Sequence, residues 1–360
     1  MKYITKLLLT ATLALVSVSC NTKDNNNNQI SLNNDAEPDL KTEVGKINNL
    51  LKKYEEPSQL FKVASNKPST VKGKKGTVIS INPADLITEN GQQPGKTIEV
   101  ELKELTNQSD LLRTNAQTVS NGKQLVSGGA YFINLTSGGQ QLKLKKNKTL
   151  SVAFPKLTNK EMQLFYAQRD SLGQLDWQLA NQKFENKPKP EAGKPQILDS
   201  IVVNDIDAIL DYTEDASDRT SKQRGDAKPD QNQIIEDKVY ETIQLKQFGW
   251  INCDRFYEVE NKTNLNFAFN EKDNVDYANV YLVFKDINSV MTEPYFTIKN
   301  KKYNSAFIDI PVGAKTQLIA ISIKDGKTYS FKSDLIITKN QTINLTLTET
   351  NEKQINKLFQ

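Results

Sequence analysis

Apolar positions open the chain as a block, then recur with helical spacing, then alternate. The block runs from Leu7 to Val18, broken only by Thr and Ser, behind Lys2 and Lys6. It is too short to span a bilayer and has the layout of an export signal over 1–19. Val44, Ile47, Leu50, Leu51 and Tyr54 follow helical spacing, with Lys and Glu on the other side. They predict an amphipathic helix within 39–60, ended by Pro57. From 61 to 180 short alternating segments lie between Gly, Asn and Pro. Examples are Val78–Ile81, Ile98–Leu102, Ala130–Leu135, Leu142–Lys145, Met162–Tyr166 and Leu175–Leu179. Strands at that spacing predict an antiparallel β-sandwich.

The pattern breaks over 181–238, where four of the twelve prolines fall. This stretch reads as a flexible linker. It carries one apolar element, Ile197 to Leu210, which fits a docked helix or a buried strand. Alternation resumes over 239–349, with strands expected at 240–250, 264–270, 279–285, 306–310, 316–324, 327–332 and 341–348. Residues 350–360 read as a polar tail. The expected fold is mainly β: two antiparallel β-sandwich modules, one N-terminal helix and a polar tether at 20–38.

Composition narrows the chemistry. Hydrophobic residues are 37% of 360, so the core is concentrated in modules. No histidine is present, which excludes Ser–His and Cys–His nucleophile systems and His-ligated zinc. The two cysteines, Cys20 and Cys253, are too few for a disulfide framework or a four-cysteine metal cluster. Removing Lys2 and Lys6 from 47 basic residues leaves 45 against 43 acidic ones. The five arginines, Arg113, Arg169, Arg219, Arg224 and Arg255, are scattered. A nucleic-acid partner would call for a clustered basic footprint, and none is expected. No cofactor, metal site or catalytic residue is expected either.

The export signal ends in Ser17-Val18-Ser19-Cys20. Small residues before a lone cysteine resemble a bacterial lipobox, which makes Cys20 the expected lipid anchor. The Asn run to Asn28 then reads as tether, and Asp24 is similar to the acidic surface-export signal of Bacteroidetes lipoproteins. The expected location is the cell envelope, at the outer membrane, with membrane contact through the N-terminal lipid only. Surface and periplasmic faces are left open.

Several motifs carry chemistry in isolation. Gly91-x-x-x-Gly95-Lys96-Thr97 imitates a phosphate loop but is one residue short and leads into a strand pattern, so it reads as a hairpin. Ser69-x-x-Lys72 and Ser120-x-x-Lys123 match an acylase signature without the helix it needs. Ser127, Gly128 and Gly129 precede a strand, where glycines serve either a ligand's close approach or a bulge. Trp177, near the module edge, is the aromatic to test for sugar stacking, with core as the other reading. Together these four residues are the candidate ligand contacts. Asp205, Asp207, Asp211, Glu214 and Asp215 offer oxygens to calcium but lack a binding loop. Arg224-Gly225-Asp226 is a lone tripeptide in the linker. Ser171 and Ser200 sit in Asp-Ser-aliphatic triplets similar to O-glycan acceptors of Bacteroidetes. Cys253, between Trp250 and Phe256, reads as a buried, unreactive thiol.

Longer runs carry a family resemblance. Gly76-Thr77-Val78-Ile79-Ser80-Ile81-Asn82-Pro83-Ala84, the hairpin at 90–95 and Thr118-Val119-Ser120-Asn121-Gly122-Lys123-Gln124-Leu125-Val126-Ser127-Gly128-Gly129 resemble the ZU5-like sandwich of Bacteroidetes surface lipoproteins. Gly249-Trp250-Ile251-Asn252-Cys253-Asp254-Arg255-Phe256-Tyr257 looks like a recurrent run in the same proteins. Ile310-Pro311-Val312-Gly313 is similar to carboxypeptidase-regulatory, transthyretin-like sandwiches. The resemblance implies a non-catalytic binding or scaffold module with a protein or glycan partner. A glycan-binding accessory lipoprotein is the alternative, and a carboxylate-based hydrolase stands third.

Overall fold

The structure is a computed structural model that describes residues 37–171, 173–184, 243–298, 301–303 and 305–360. Cys20, Ser200, the acidic stretch 204–215 and the Arg224 tripeptide lie outside the described residues.

The helix expected near residue 40 is α1 (Glu37–Lys52), which ends before Pro57. The first module then adds β1 (Gln59–Ala64), β2 (Ser69–Lys72), β3 (Val78–Ile81), β4 (Leu86–Thr88), β5 (Thr97–Leu105) and the short helix α2 (Gln108–Arg113). Next come β6 (Val119–Ser120), β7 (Lys123–Ser137), β8 (Gln140–Leu144), β9 (Leu150–Ala153), β10 (Gln163–Arg169) and β11 (Leu175–Leu179). The fold is mainly β, as the alternation predicts.

The module boundary differs from the expected one. Residues 243–256 hold two strands, β12 (Ile243–Leu245) and β13 (Gly249–Phe256), and both belong to the first module. β13 lies between β7 and β10 in the large sheet, whose order is β1-β5-β7-β13-β10-β11. β12 pairs with β9 at the edge of the facing sheet, β12-β9-β3-β2. Stretch 181–238 therefore falls between strands of one module rather than between modules. Gln182 Nε2, just after β11, donates to the Gln244 carbonyl of β12 at 2.5 Å. Ile79, Val100, Leu102, Ile133, Val152, Leu164, Ile243 and Ile251 fill the space between the two sheets.

The second module holds β14 (Lys262–Phe269), β15 (Tyr277–Phe284), β16 (Ser289–Ile298), β17 (Lys301–Tyr303), β18 (Ala306–Pro311), β19 (Lys315–Lys324), β20 (Lys327–Ile336), β21 (Gln341–Leu345) and β22 (Thr348–Glu349). Its sheets run β17-β16-β15-β19-β20-β22 and β18-β14-β21. Pairing is antiparallel except for β14 with β21, which is parallel. Phe267, Phe307, Val280, Leu282, Met291 and Leu318 pack between them. The polar tail expected at 350–360 is instead helix α3 (Glu352–Leu358), followed by buried Phe359. Ile355, Leu358 and Phe359 lie three and four residues apart, so one face is apolar and docks.

A third core joins the modules. Leu105, Ala130, Phe165 and Trp177 come from the back of the first module's large sheet. Tyr277, Tyr281, Phe296, Ile319 and Ile321 come from the back of the second module's larger sheet. Leu40, Val44, Ile47, Leu50 and Leu51 of α1, with Ile355, Leu358 and Phe359, complete the same cluster. The four sheets are thus stacked, with α1 in the middle layer. β15 is buried at every position because both of its faces are covered.

Candidate functional site

The candidate ligand contacts converge on this middle layer, at the seam between the modules. Trp177 has no exposed surface, and its indole Nε1 donates to the Gln117 carbonyl at 2.7 Å. Its ring fills the third core and offers no face to a sugar, which corrects the stacking expectation. Ser127 is also buried, at 4% exposure. Its main-chain N–H donates to the Asn288 carbonyl of the second module at 2.8 Å. The Asn288 amide in turn donates to the Ser127 carbonyl at 3.1 Å. Gly128 is buried beside it. Gly129 adopts φ +118°, and a Cβ there would collide with the Tyr131 hydroxyl. Gly129 therefore serves close approach of the protein to itself, not of a ligand.

Neighbouring side chains lace the same seam. The Thr118 hydroxyl lies 2.9 Å from the Ser289 hydroxyl, and the main-chain N–H of Thr118 donates to the Val290 carbonyl at 2.7 Å. Gln124 Nε2 donates to the Ser289 hydroxyl at 3.0 Å. Gln108 Nε2 donates to the Ile287 carbonyl at 2.7 Å and to the Phe284 carbonyl. Deeper in, Tyr277 donates to Asn279 Oδ1 at 2.8 Å, and Asn279 Nδ2 donates to the Tyr281 hydroxyl at 2.9 Å. Burial pushes both phenols well above the ordinary tyrosine range, so they remain neutral donors.

Arg169, at the end of β10, ties the rim together. Its guanidinium donates to the carbonyls of Thr114 (2.7 Å), Asn115 (3.1 Å) and Gly173 (2.6 Å). It also stacks 4.9 Å from the centre of the Trp250 ring. That contact occupies a face of Trp250, and Phe132 lies beside it at 5.2 Å.

Sequence reasoning missed the buried acid at this seam. Asp254 on β13 follows the irregularity in register between Asn252 and Asp254, opposite Ser127. It has no exposed surface. Asn252 Nδ2 donates to its Oδ2 at 2.6 Å. Burial pushes the carboxyl up to about 7, against the opposing pull of Ser127, Asn252 and the Gly128 N–H. Glu293 shares a face of β16 with Met291 and Tyr295, and burial raises it to about 8. The run Asn252-Cys253-Asp254, polar residues inside an otherwise apolar strand, was the available signal. Cys253 is buried as expected, and burial raises its thiol well above the usual range, so it is held as an unreactive thiol.

Outside the seam, Ser171 is exposed in the turn between β10 and β11. Ser69 and Lys72 lie on strand β2, while Ser120 and Lys123 face each other across the β6–β7 hairpin. Neither pair sits on the helix an acylase requires. Gly95 and Thr97 lead into β5, as the hairpin reading of the false phosphate loop predicts. A groove of about 330 Å³ runs between the end of α1, the β19–β20 turn and the start of α3. It is bordered by Lys53, Tyr54, Lys327, Glu349 and Glu352, with Lys327 paired to Glu349 at 2.9 Å. Among the described residues no cluster of three Cys, Asp or Glu side chains is placed to hold a metal ion. No helix among them is long and apolar enough to cross a membrane.

No family model matches the chain, and no curated protein does. Among solved structures, a membrane pore complex of pneumolysin aligns over 86% of this chain and 73% of its own, with 10% identity and a TM-score of 0.10. A likeness that low carries no argument about fold or function.

Proposed function

We propose that the chain is a lipid-anchored protein of the bacterial cell envelope that acts as a non-catalytic binding or scaffold module. The observation that carries this reading is the third core. Two sandwiches packed back to back through a shared apolar layer form a stiff body, and their outward loops and sheet surfaces remain for partners. The resemblance of segments 76–84, 118–129 and 249–257 to Bacteroidetes surface lipoproteins supports the address. So does the Ser17–Cys20 run ahead of a polar tether.

The glycan-binding alternative is weakened by the burial of Trp177 and by Arg169 lying over Trp250. A two-carboxylate hydrolase needs both acids open to substrate, and Asp254 is sealed.

Metabolic labelling with a radioactive fatty acid, followed by protease treatment of intact and lysed cells, tests the reading. Label should enter the wild-type chain and be lost in Cys20→Ala. Digestion on intact cells would direct the partner search to glycans and other cells; protection until lysis would direct it to periplasmic partners. A wild-type chain that takes up no label, or a purified protein that turns over glycoside substrates, would sink the proposal.

A further inference from the structure

We propose that the seam between the sandwiches is a proton-sensitive joint, with Asp254 as the group that sets how tightly it closes. The argument begins with position. Asp254 stands opposite Ser127, the residue whose main chain makes both hydrogen bonds to Asn288 across the seam. The Ser127 hydroxyl accepts from the Gly129 N–H at 3.0 Å and donates to Asn252 Oδ1 at 3.4 Å. Asn252 also donates to Asp254. One acid, one amide and one hydroxyl therefore form a cluster against the main-chain segment of β7 that, among the described residues, bonds the second module.

The environment of the acid supplies the sensitivity. The groups acting on Asp254 are Ser127 and Gly128 from β7 and Asn252 from β13, and none is charged. On β10 its register partner is Gln163. The titratable neighbour is the Cys253 thiol, which is held neutral. Among the described residues no cation compensates an Asp254 carboxylate. Ionisation there costs free energy that a protonated acid does not.

The sign follows. A carboxyl raised from 3.8 to about 7 keeps its proton in the closed seam and loses it when the seam opens to water. The closed seam is then most stable below pH 4, weakens as pH rises from about 4 to about 7, and levels off above that. Between pH 5 and pH 8 the opening equilibrium should shift toward the open form on the order of 90-fold. Glu293 has the same sign and lies on the far face of β16, so a control must separate the two.

The test is hydrogen exchange of the full mature chain at pH 5 and pH 8, corrected for intrinsic rates. It is read in peptides covering 117–129 and 286–292. Wild type should lose protection in both segments at the higher pH. Asp254→Asn should abolish that loss, and Glu293→Gln should leave it in place. A pH dependence that survives in Asp254→Asn overturns the proposal, as does wild-type protection that does not change. If Asp254→Asn fails to fold, the Asp254 carboxyl carbon in the wild-type NMR spectrum decides. A titration midpoint of 6 or above supports the joint, and a midpoint below 6 overturns it.

Discussion

Single residues show where local chemistry decides the fold. Glu104 is buried at 4% exposure and accepts hydrogen bonds from the main-chain N–H groups of Lys75 (2.8 Å) and Thr77 (3.0 Å) and from Gln59 (2.8 Å). Replacing Glu104 by Ala leaves those donors unpaired and should cost about 2–4 kcal/mol, read as a lower urea midpoint. Trp177→Ala should cost about 3–5 kcal/mol for the same measurement, because the ring fills core and its N–H bonds to Gln117. A Trp177→Ala protein of undiminished stability would mean that the ring is not core. The sequence placed Trp177 on a strand but left core and ligand surface open, since alternation tells which face a residue takes and not what covers that face. Ser127, Gly128 and Gly129 were ambiguous for a related reason. Glycine permits close approach, and nothing local says whether a ligand or Tyr131 approaches.

At the scale of elements, legibility depended on how local each signal was. α1 was visible in its spacing, and so was its need for a partner surface. That partner is the third core, and Ile47, 1% exposed, lies at its centre. Ile47→Asp would bury an unpaired carboxylate and should destabilise the chain by roughly 3–5 kcal/mol, lowering the melting temperature of both modules together. α3 was missed although Asn351 and Gln354 spell a capping box, with both reciprocal hydrogen bonds present. Asn351→Ala should cost about 1 kcal/mol, measurable as a small fall in the urea midpoint. β16 escaped notice because Pro294 sits inside it. There β15 is its strand neighbour, and β17 reaches only Phe296–Ile298, so a missing N–H is tolerated. The two-sided burial of β15 was readable in Tyr277-Ala278-Asn279-Val280-Tyr281-Leu282-Val283-Phe284, which does not alternate.

The whole molecule was the least legible scale, because pairing between distant strands leaves no local trace. Ile243 and Leu245 pair with Val152 and Leu150, and β13 inserts between strands that precede it in the chain. Alternation announced these strands but not the module that receives them. The result is two sandwiches whose backs share one apolar layer, and that layer is the central claim. It predicts that the modules unfold as one unit. Differential scanning calorimetry of the chain at pH 5 tests this most directly. The account predicts a single transition with calorimetric and van't Hoff enthalpies in agreement, moved as a whole to lower temperature by Ile47→Asp. Two resolved transitions, only one of them shifted by Ile47→Asp, would contradict it.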